Sequence, residues 1–413
     1  MPYLKGQRSM ISIEEALKII EDETSPIGIE ESDIVCSLNK VLAEDIYSKD
    51  VLPPFNKSTK DGYAIKSEDT SICKNGIDIE LDIVGLIRAG EYYEGELKHG
   101  EAIKIMTGAP VPKGANAVIK IEEVICKETK LVVSNLVKEG TDIIKIGEEI
   151  NIGDLALPKG KVIRPAEIGL LASLGYSKVL NYKTPKIAII STGDELLNID
   201  DELKKGKVRN CNEYSLMALC ENLGLEFLSL GIASDEKDLL KEKIMESLQK
   251  ADIVITSGGV SVGDFDFVEE VLSEIGADIK FTSVAIKPGK PVTFGKVKDK
   301  FFFGLPGNPL SLITTFDEFV KPAIRNISGF NKIKDDKILV TALSKFKGKS
   351  NRRKYIYANI KEENGKYYAE DLGNQCSNYL MTMSKANGII IMNEDVHEIN
   401  IGEKVYGKFI FKE

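Results

Sequence analysis

Between Lys186 and Ile324 the chain alternates continuously apolar runs with amphipathic ones, and this alternation constrains the fold more than any other feature. The apolar runs are KIAII, LEFLSLGI, DIVITSGG, DIKFTSV, PVTFGKV and FFFGLP. Among them lie NEYSLMALCENLG, DEKDLLKEKIMESLQK and FVEEVLSEIG, and NPLSLITTFDEFV closes the block. Strands apolar on both faces, separated by amphipathic helices, predict a mostly parallel sheet covered on both sides. Ligands of such sheets bind outside the carboxyl ends of the strands. STGDE (191–195), TSGGVSVGD (256–264) and GLPGNP (304–309) each follow a strand, so all three are expected at one edge.

The remainder of the chain has a different texture. Ser12 to Glu23 has helical spacing, with Ser12 as N-cap and Glu15 completing a capping box. Leu38–Asp45 reads as another short helix, broken by Pro53-Pro54. From Ile77 to about Val137, short β-like runs between Gly, Pro and Asn turns predict a small β unit. A helix is expected over Ala166–Leu174, ended by Gly175. Beyond Gly329 the pattern is β again, and Asn364-Gly365 is a hairpin signal.

At 413 residues the chain is expected to hold about two to four domains. Its formal charge of −9 argues against a nucleic-acid protein that relies on a broad basic surface. No apolar run approaches the roughly 20 residues of a membrane span. The polar start, Met1–Met10, shows no secretory signal, so a cytoplasmic protein is expected. Six scattered cysteines offer no Cys-x-x-Cys pair and no zinc spacing. Only His99 and His397 are available, so acid–base and metal work falls to Asp, Glu, Lys, Ser and Thr.

Glycine lets a ligand approach the backbone closely, and lysines and carboxylates in such turns suit an anion with a metal ion nearby. Ser257-Gly-Gly-Val-Ser261 has the look of a backbone nest for an oxyanion, though it is neither a Walker loop nor a dinucleotide fingerprint. Asp194 either caps the next element or faces the strand-end cleft. Asp264 and Asp266 either cap a helix or hold Mg²⁺ through carboxylate oxygen. Lys287 and Lys290 flank a Pro-Gly bend and would offset gathered negative charge. Asn308 and Pro309 read as N-cap and first residue of a helix, after a Pro306–Pro309 turn in which a cis bond is one option.

Seven segments, in this order, resemble one family. They are SxxDGYA (Ser58, Asp61–Ala64), MTGAPVP (106–112), RPAEIGLLASLG (164–175), STGDEL (191–196), SGGVSVGD (257–264), AIKPGKP (285–291) and GLPGNP (304–309). Together they are similar to the molybdopterin molybdenumtransferases, the MoeA family, whose eukaryotic relative is the E domain of gephyrin. The resemblance implies a multidomain α/β and β fold. A mostly parallel, three-layer α/β domain of the molybdopterin-binding type (181–328) lies at its centre. Around it are a small, discontinuous α+β N-terminal domain (1–50 and 140–180), an inserted β domain (51–139) and a C-terminal β-barrel domain (329–413).

The resemblance further implies a cytoplasmic homodimer that inserts molybdenum from molybdate into adenylylated molybdopterin with release of AMP, using Mg²⁺. Upstream and downstream partners would be the molybdopterin adenylyltransferase and acceptor molybdoenzymes, with no nucleic acid and no membrane. It assigns catalysis to Asp61, Glu195, Asp235 and Lys287. It assigns substrate binding to Thr107, Ser257, Gly258, Gly259, Ser261, Lys290, Pro306, Asn308 and Pro309, and metal to Asp194, Asp264 and Asp266. Asp61 and Thr107 would act from the partner subunit.

The pattern departs from the family at Lys60, usually Met; at Glu149, often Asp; and at Asp264-Phe-Asp266, more usually Asp-Tyr-Asp. Asn351–Tyr355, Ser377 and Ser384–Asn387 match only loosely. Two rival readings are weaker. The adenylyltransferases favour Gly-Gly-Thr-Gly where this chain has Gly258-Gly-Val-Ser261, and a scaffold role has no linker or fusion segment to support it.

Overall fold

A computed structural model describes residues 9–260, 267–348 and 351–410. The chain divides into two compact units. One holds the described residues up to Ala43, Val162–Arg164 and those from Val179 onward; the other holds Glu44–Lys161 and Pro165–Lys178.

The first unit is built on a six-stranded sheet. Its elements, in chain order, are α1 (Ile13–Glu23), β1 (Ile187–Thr192), α2 (Cys211–Asn222), β2 (Phe227–Ala233), α3 (Lys237–Lys250) and β3 (Ile253–Ser257). They continue with α4 (Val268–Glu274), β4 (Asp278–Ser283), β5 (Pro291–Val297), β6 (Lys300–Leu305) and α5 (Pro309–Thr315). The strand order is β2-β1-β3-β6-β5-β4. The first four are mutually parallel, whereas β5 and β4 add on antiparallel.

Side-chain alternation explains the three layers. Ile187, Ile189, Ile253, Ile255, Phe301 and Phe303 face one cluster, which takes in Ile13, Leu17 and Ile20 of α1 and Leu216 and Cys220 of α2. Ala188, Ile190, Val254 and Phe302 face the other, beneath α3 and α4. Residues i and i+2 of a strand share a face, so an unbroken apolar run serves both clusters at once. Ser12 caps α1, its Oγ accepting from the Glu15 N–H at 3.1 Å.

The C-terminal strands form a closed five-stranded barrel. These are β7 (Ile338–Ala342), β8 (Arg353–Glu363), β9 (Lys366–Asp371), β10 (Gly388–Met392) and β11 (Lys404–Phe409). Pairing runs β8-β9-β7-β11-β10 and returns from β10 to β8. Ile356, Ala358 and Ile360 fill its interior, while Tyr355 and Tyr357 turn outward into the core shared with the central sheet. Asn364 and Gly365, both at positive φ (52° and 72°), make the tight β8–β9 turn.

The second unit carries a six-stranded sheet in which Gly62–Ile65, the strand next to one edge, is wholly buried. Tyr63 and Ile65 enter one apolar cluster and Ala64 the other. Its helix Pro165–Ser173 matches the expected span, with Gly175 at φ 75° beyond its end.

Leu38–Asp45 is not helical. Val41 and Leu42 are fully buried and make β-bridges to Val162 and Asn181. Distant backbone partners override helical spacing in so short a run. Both bonds preceding Pro306 and Pro309 are trans; the cis bonds among the described residues are Leu52–Pro53 and Lys287–Pro288.

Candidate functional site

The register of the central sheet brings three turns together. Ser191 of β1 lies opposite Ser257 of β3, and Ser257 lies opposite Leu305 of β6. The chain therefore leaves all three strands at one level, and the turns that follow border a cleft of about 900 Å³. Glu195 and Asp235 line it, as do Gly258, Gly259, Pro306, Asn308 and Pro309.

Close packing dictates glycine at its floor. Gly258 has φ +94°, and a Cβ there would lie 2.8 Å from both the carbonyl oxygen and the hydroxyl of Thr192. A Cβ on Gly307 would reach within 3.7 Å of the Gly258 Cα, so the second and third turns nearly touch. Asn212, near the start of α2 and 7 % exposed, ties them together. Its Nδ2 donates to Ser257 Oγ at 3.2 Å and to the Gly307 carbonyl at 2.7 Å. Ser257 is therefore buried beneath the cleft, with its hydroxyl engaged by Asn212.

The acidic side is equally ordered. The Asp194 N–H donates to Asp235 Oδ2 at 3.2 Å, and the Asp235 N–H donates to Asp194 Oδ1 at 3.1 Å. This exchange locks the β1 and β2 exits together, so Asp194 caps no helix. Glu195 begins a strap in which Leu196–Leu197 pairs in parallel with Val208–Arg209. Among the described residues, no group of three or more His, Cys, Asp or Glu side chains converges on a metal position. Ser261, Asp264 and Asp266 lie outside the described residues.

Asn308 is the N-cap of α5 without a side-chain capping bond, and Pro309 is at the helix start. The Lys287–Lys290 bend packs on α5: a Cβ at Gly289 would come 2.4 Å from Thr315 Cγ2. Lys287 sits beside Lys354 in a parallel pairing with β8. Burial, then the neighbouring Lys287 charge, pulls the Lys354 ammonium below the usual lysine range. Lys290 is exposed, its carbonyl accepting from Val284 N–H at 3.0 Å. Neither lysine borders the cleft, which Pro291 does. Asp61 and Thr107 belong to the other compact unit. There Asp61 Oδ1 accepts from the Thr107 N–H (2.7 Å) and hydroxyl (2.8 Å), bonds that hold its carboxyl below the usual range.

Arg209, Asn210, Cys211 and Asn212 line the cleft without having been anticipated, and so do Asn378 and Leu380 from the barrel region. One signal was available: Asn210 stands three residues before Glu213, and in the fold it caps α2 through Glu213. Nothing in the local sequence marks Arg209 or Asn378.

The fold and cleft define a multidomain α/β protein of the molybdopterin-binding class. Residues 188–326 match the model of the probable molybdopterin binding domain. Residues 11–175 match the MoeA N-terminal region (domain I and II), and 340–406 the MoeA C-terminal region (domain IV). The molybdopterin molybdenumtransferase of Staphylococcus aureus (strain COL) is 39% identical over 343 residues, covering 82% of this chain and 81% of the relative. That of Staphylococcus epidermidis (strain ATCC 12228) is 39% identical over 323 residues, 78% of this chain and 77% of its own. The crystal structure of a molybdopterin biosynthesis moeA protein from Pyrococcus horikoshii OT3 superposes with TM-score 0.82 at 30% identity, over 97% of this chain and all of that one. The chain belongs to the molybdopterin molybdenumtransferase (MoeA) family.

Proposed function

We propose that this protein is a transferase that inserts molybdenum from molybdate into adenylylated molybdopterin, forming molybdenum cofactor and releasing AMP. The observation that carries the reading is the meeting of three strand-end turns at one cleft holding two carboxylates, close-packed glycine backbone and one arginine. Backbone at Gly258 and Gly259 can approach a phosphate ester closely because no side chain intervenes. Asn308, whose side chain is not spent on capping, is free to meet the pterin between Pro306 and Pro309.

No three such side chains converge among the described residues, but Mg²⁺ commonly takes only one or two carboxylates with waters and substrate phosphates, and the paired Asp194 and Asp235 offer those oxygens. Asp194 and Asp235 would hold it, while the metal role the resemblance gives Asp264 and Asp266 falls on residues outside those described. When bound, the cation supplies neutralisation of charge on the phosphoryl oxygens. The protein's own groups orient the substrate: Asn212 holds two turns at fixed separation, and the Asp194–Asp235 exchange fixes the carboxylates. Lys287 and Lys290, which do not border the cleft, are proposed only to add positive charge in its neighbourhood, and the role expected of Ser261 falls on a residue outside those described.

We further propose a cytoplasmic homodimer, with Asp61 and Thr107 supplied to the substrate by the second copy. It would receive substrate from the adenylyltransferase and pass product to acceptor molybdoenzymes. No helix among the described residues is long and apolar enough to cross a membrane. The four-part division at 1–50 with 140–180, 51–139, 181–328 and 329–413 is retained as the proposed domain scheme.

Purified protein given adenylylated molybdopterin tests the reading. AMP release is expected only when molybdate and Mg²⁺ are both present. Release that ignores molybdate would make the protein a plain hydrolase and end the proposal.

A further inference from the structure

We propose that Arg209 is the cation that binds the substrate's phosphate in the cleft, an inference resting on the function just proposed. Among the described side chains lining the cleft, Arg209 carries the one positive charge, against the carboxylates of Glu195 and Asp235. A polyanionic ligand entering beside two carboxylates needs a cation at the same wall. Lys287 and Lys290, the lysines that sequence reasoning favoured, do not border this cleft.

Arg209 is held by a built element. Its strand, Val208–Arg209, pairs with Leu196–Leu197. The Val208 N–H donates to the Glu195 carbonyl at 2.9 Å, and the Asn210 N–H donates to the Leu197 carbonyl at 2.9 Å. Lys207 Nζ donates to the Asp194 carbonyl, closing the strap against the acidic side. The guanidinium makes a hydrogen bond from Nη2 to the Asp201 carbonyl at 3.2 Å. Arg209 enters no ion pair among the described residues. A guanidinium has five N–H donors, so a fork remains for two oxygens of one phosphate. A lysine there would offer charge without the bidentate geometry.

The test compares wild type with Arg209→Met and Arg209→Lys, using the KM for adenylylated molybdopterin and the Kd for AMP by titration calorimetry. Arg209→Met is expected to raise both about tenfold or more, a typical loss for a charge-assisted hydrogen bond. kcat and the KM for molybdate should move less than threefold, and the NaCl dependence of AMP binding should flatten. Arg209→Lys should fall between. Because Arg209 is exposed, an unchanged melting temperature is expected in both variants. Wild-type KM and Kd in Arg209→Met, or a fall in kcat alone, would overturn the assignment. If wild type itself shows no molybdate-dependent AMP release, the proposed function fails instead, so the two failures are distinct.

Discussion

Asn212 shows how one buried amide can set the shape of a binding site. Two turns rich in glycine have little of their own to hold them, because glycine contributes no packing and retains backbone freedom when unfolded. The Asn212 Nδ2 supplies the missing tether, reaching Ser257 Oγ and the Gly307 carbonyl. Asn212→Ala removes both bonds and leaves a partly buried carbonyl without its donor, at a cost of about 1–3 kcal/mol. Urea denaturation should show that loss, and the KM for the pterin substrate should rise as the turns drift. A variant as stable as wild type would mean the tether is dispensable. At this scale the sequence was partly legible. Gly258, Gly259, Pro306 and Asn308 announce themselves by punctuating the ends of apolar runs. Arg209 and Asn212 do not, because their role depends on a register between strands distant in sequence.

Among the elements, the joint between barrel and central domain adds a buried ionic network to the apolar core they share. Immediately after α5 the chain makes one π-helical turn, Phe316–Val320, which directs Asp317 and Glu318 toward Lys408 on β11. Lys408 is 6 % exposed, with Nζ 2.6 Å from Asp317 Oδ2 and 2.9 Å from Glu318 Oε2. Burial opposes its charge, yet Glu318 and Asp317 hold the ammonium above the usual lysine range. Removing one partner of a buried pair strands the other, so Lys408→Met should destabilise by about 3–5 kcal/mol. Lys321 and Arg325 extend the network to Asp335; burial would raise that carboxyl, but the two cations hold it below the usual aspartate range.

The signs predict where pH matters. A raised lysine stabilises at every pH below its unfolded value of about 10.4, and a depressed aspartate stabilises above its unfolded value of about 3.9. Chemical denaturation should therefore find this contribution constant from pH 5 to 9 and lost as pH falls below the ordinary aspartate value of about 3.9. A deficit of Asp335→Asn that persists undiminished at pH 2 would contradict the assignment. None of this network was visible in the sequence, where Lys408 reads as one more polar residue of a β run. The elements themselves were legible where periodicity was long, as in β1 to α5, and where turn chemistry was specific, as at Asn364-Gly365. Leu38–Asp45 failed because eight residues of helical spacing carry less weight than two buried backbone bridges.

For the whole molecule, an acidic chain of net charge −9 must bind a polyanion. Long-range attraction cannot supply the affinity, so it must come from local groups at one place. The parallel strands provide that place: matched register ends β1, β3 and β6 at one level, and the strap and barrel region add Arg209 and Asn378 to the same cleft. The most direct measurement is a crystal structure of the full chain with adenylylated molybdopterin. Its phosphates should lie within hydrogen-bond reach of Arg209 and the Gly258-Gly259 backbone, with the pterin near Asn308. Substrate density elsewhere, with this cleft holding only solvent, would contradict the account.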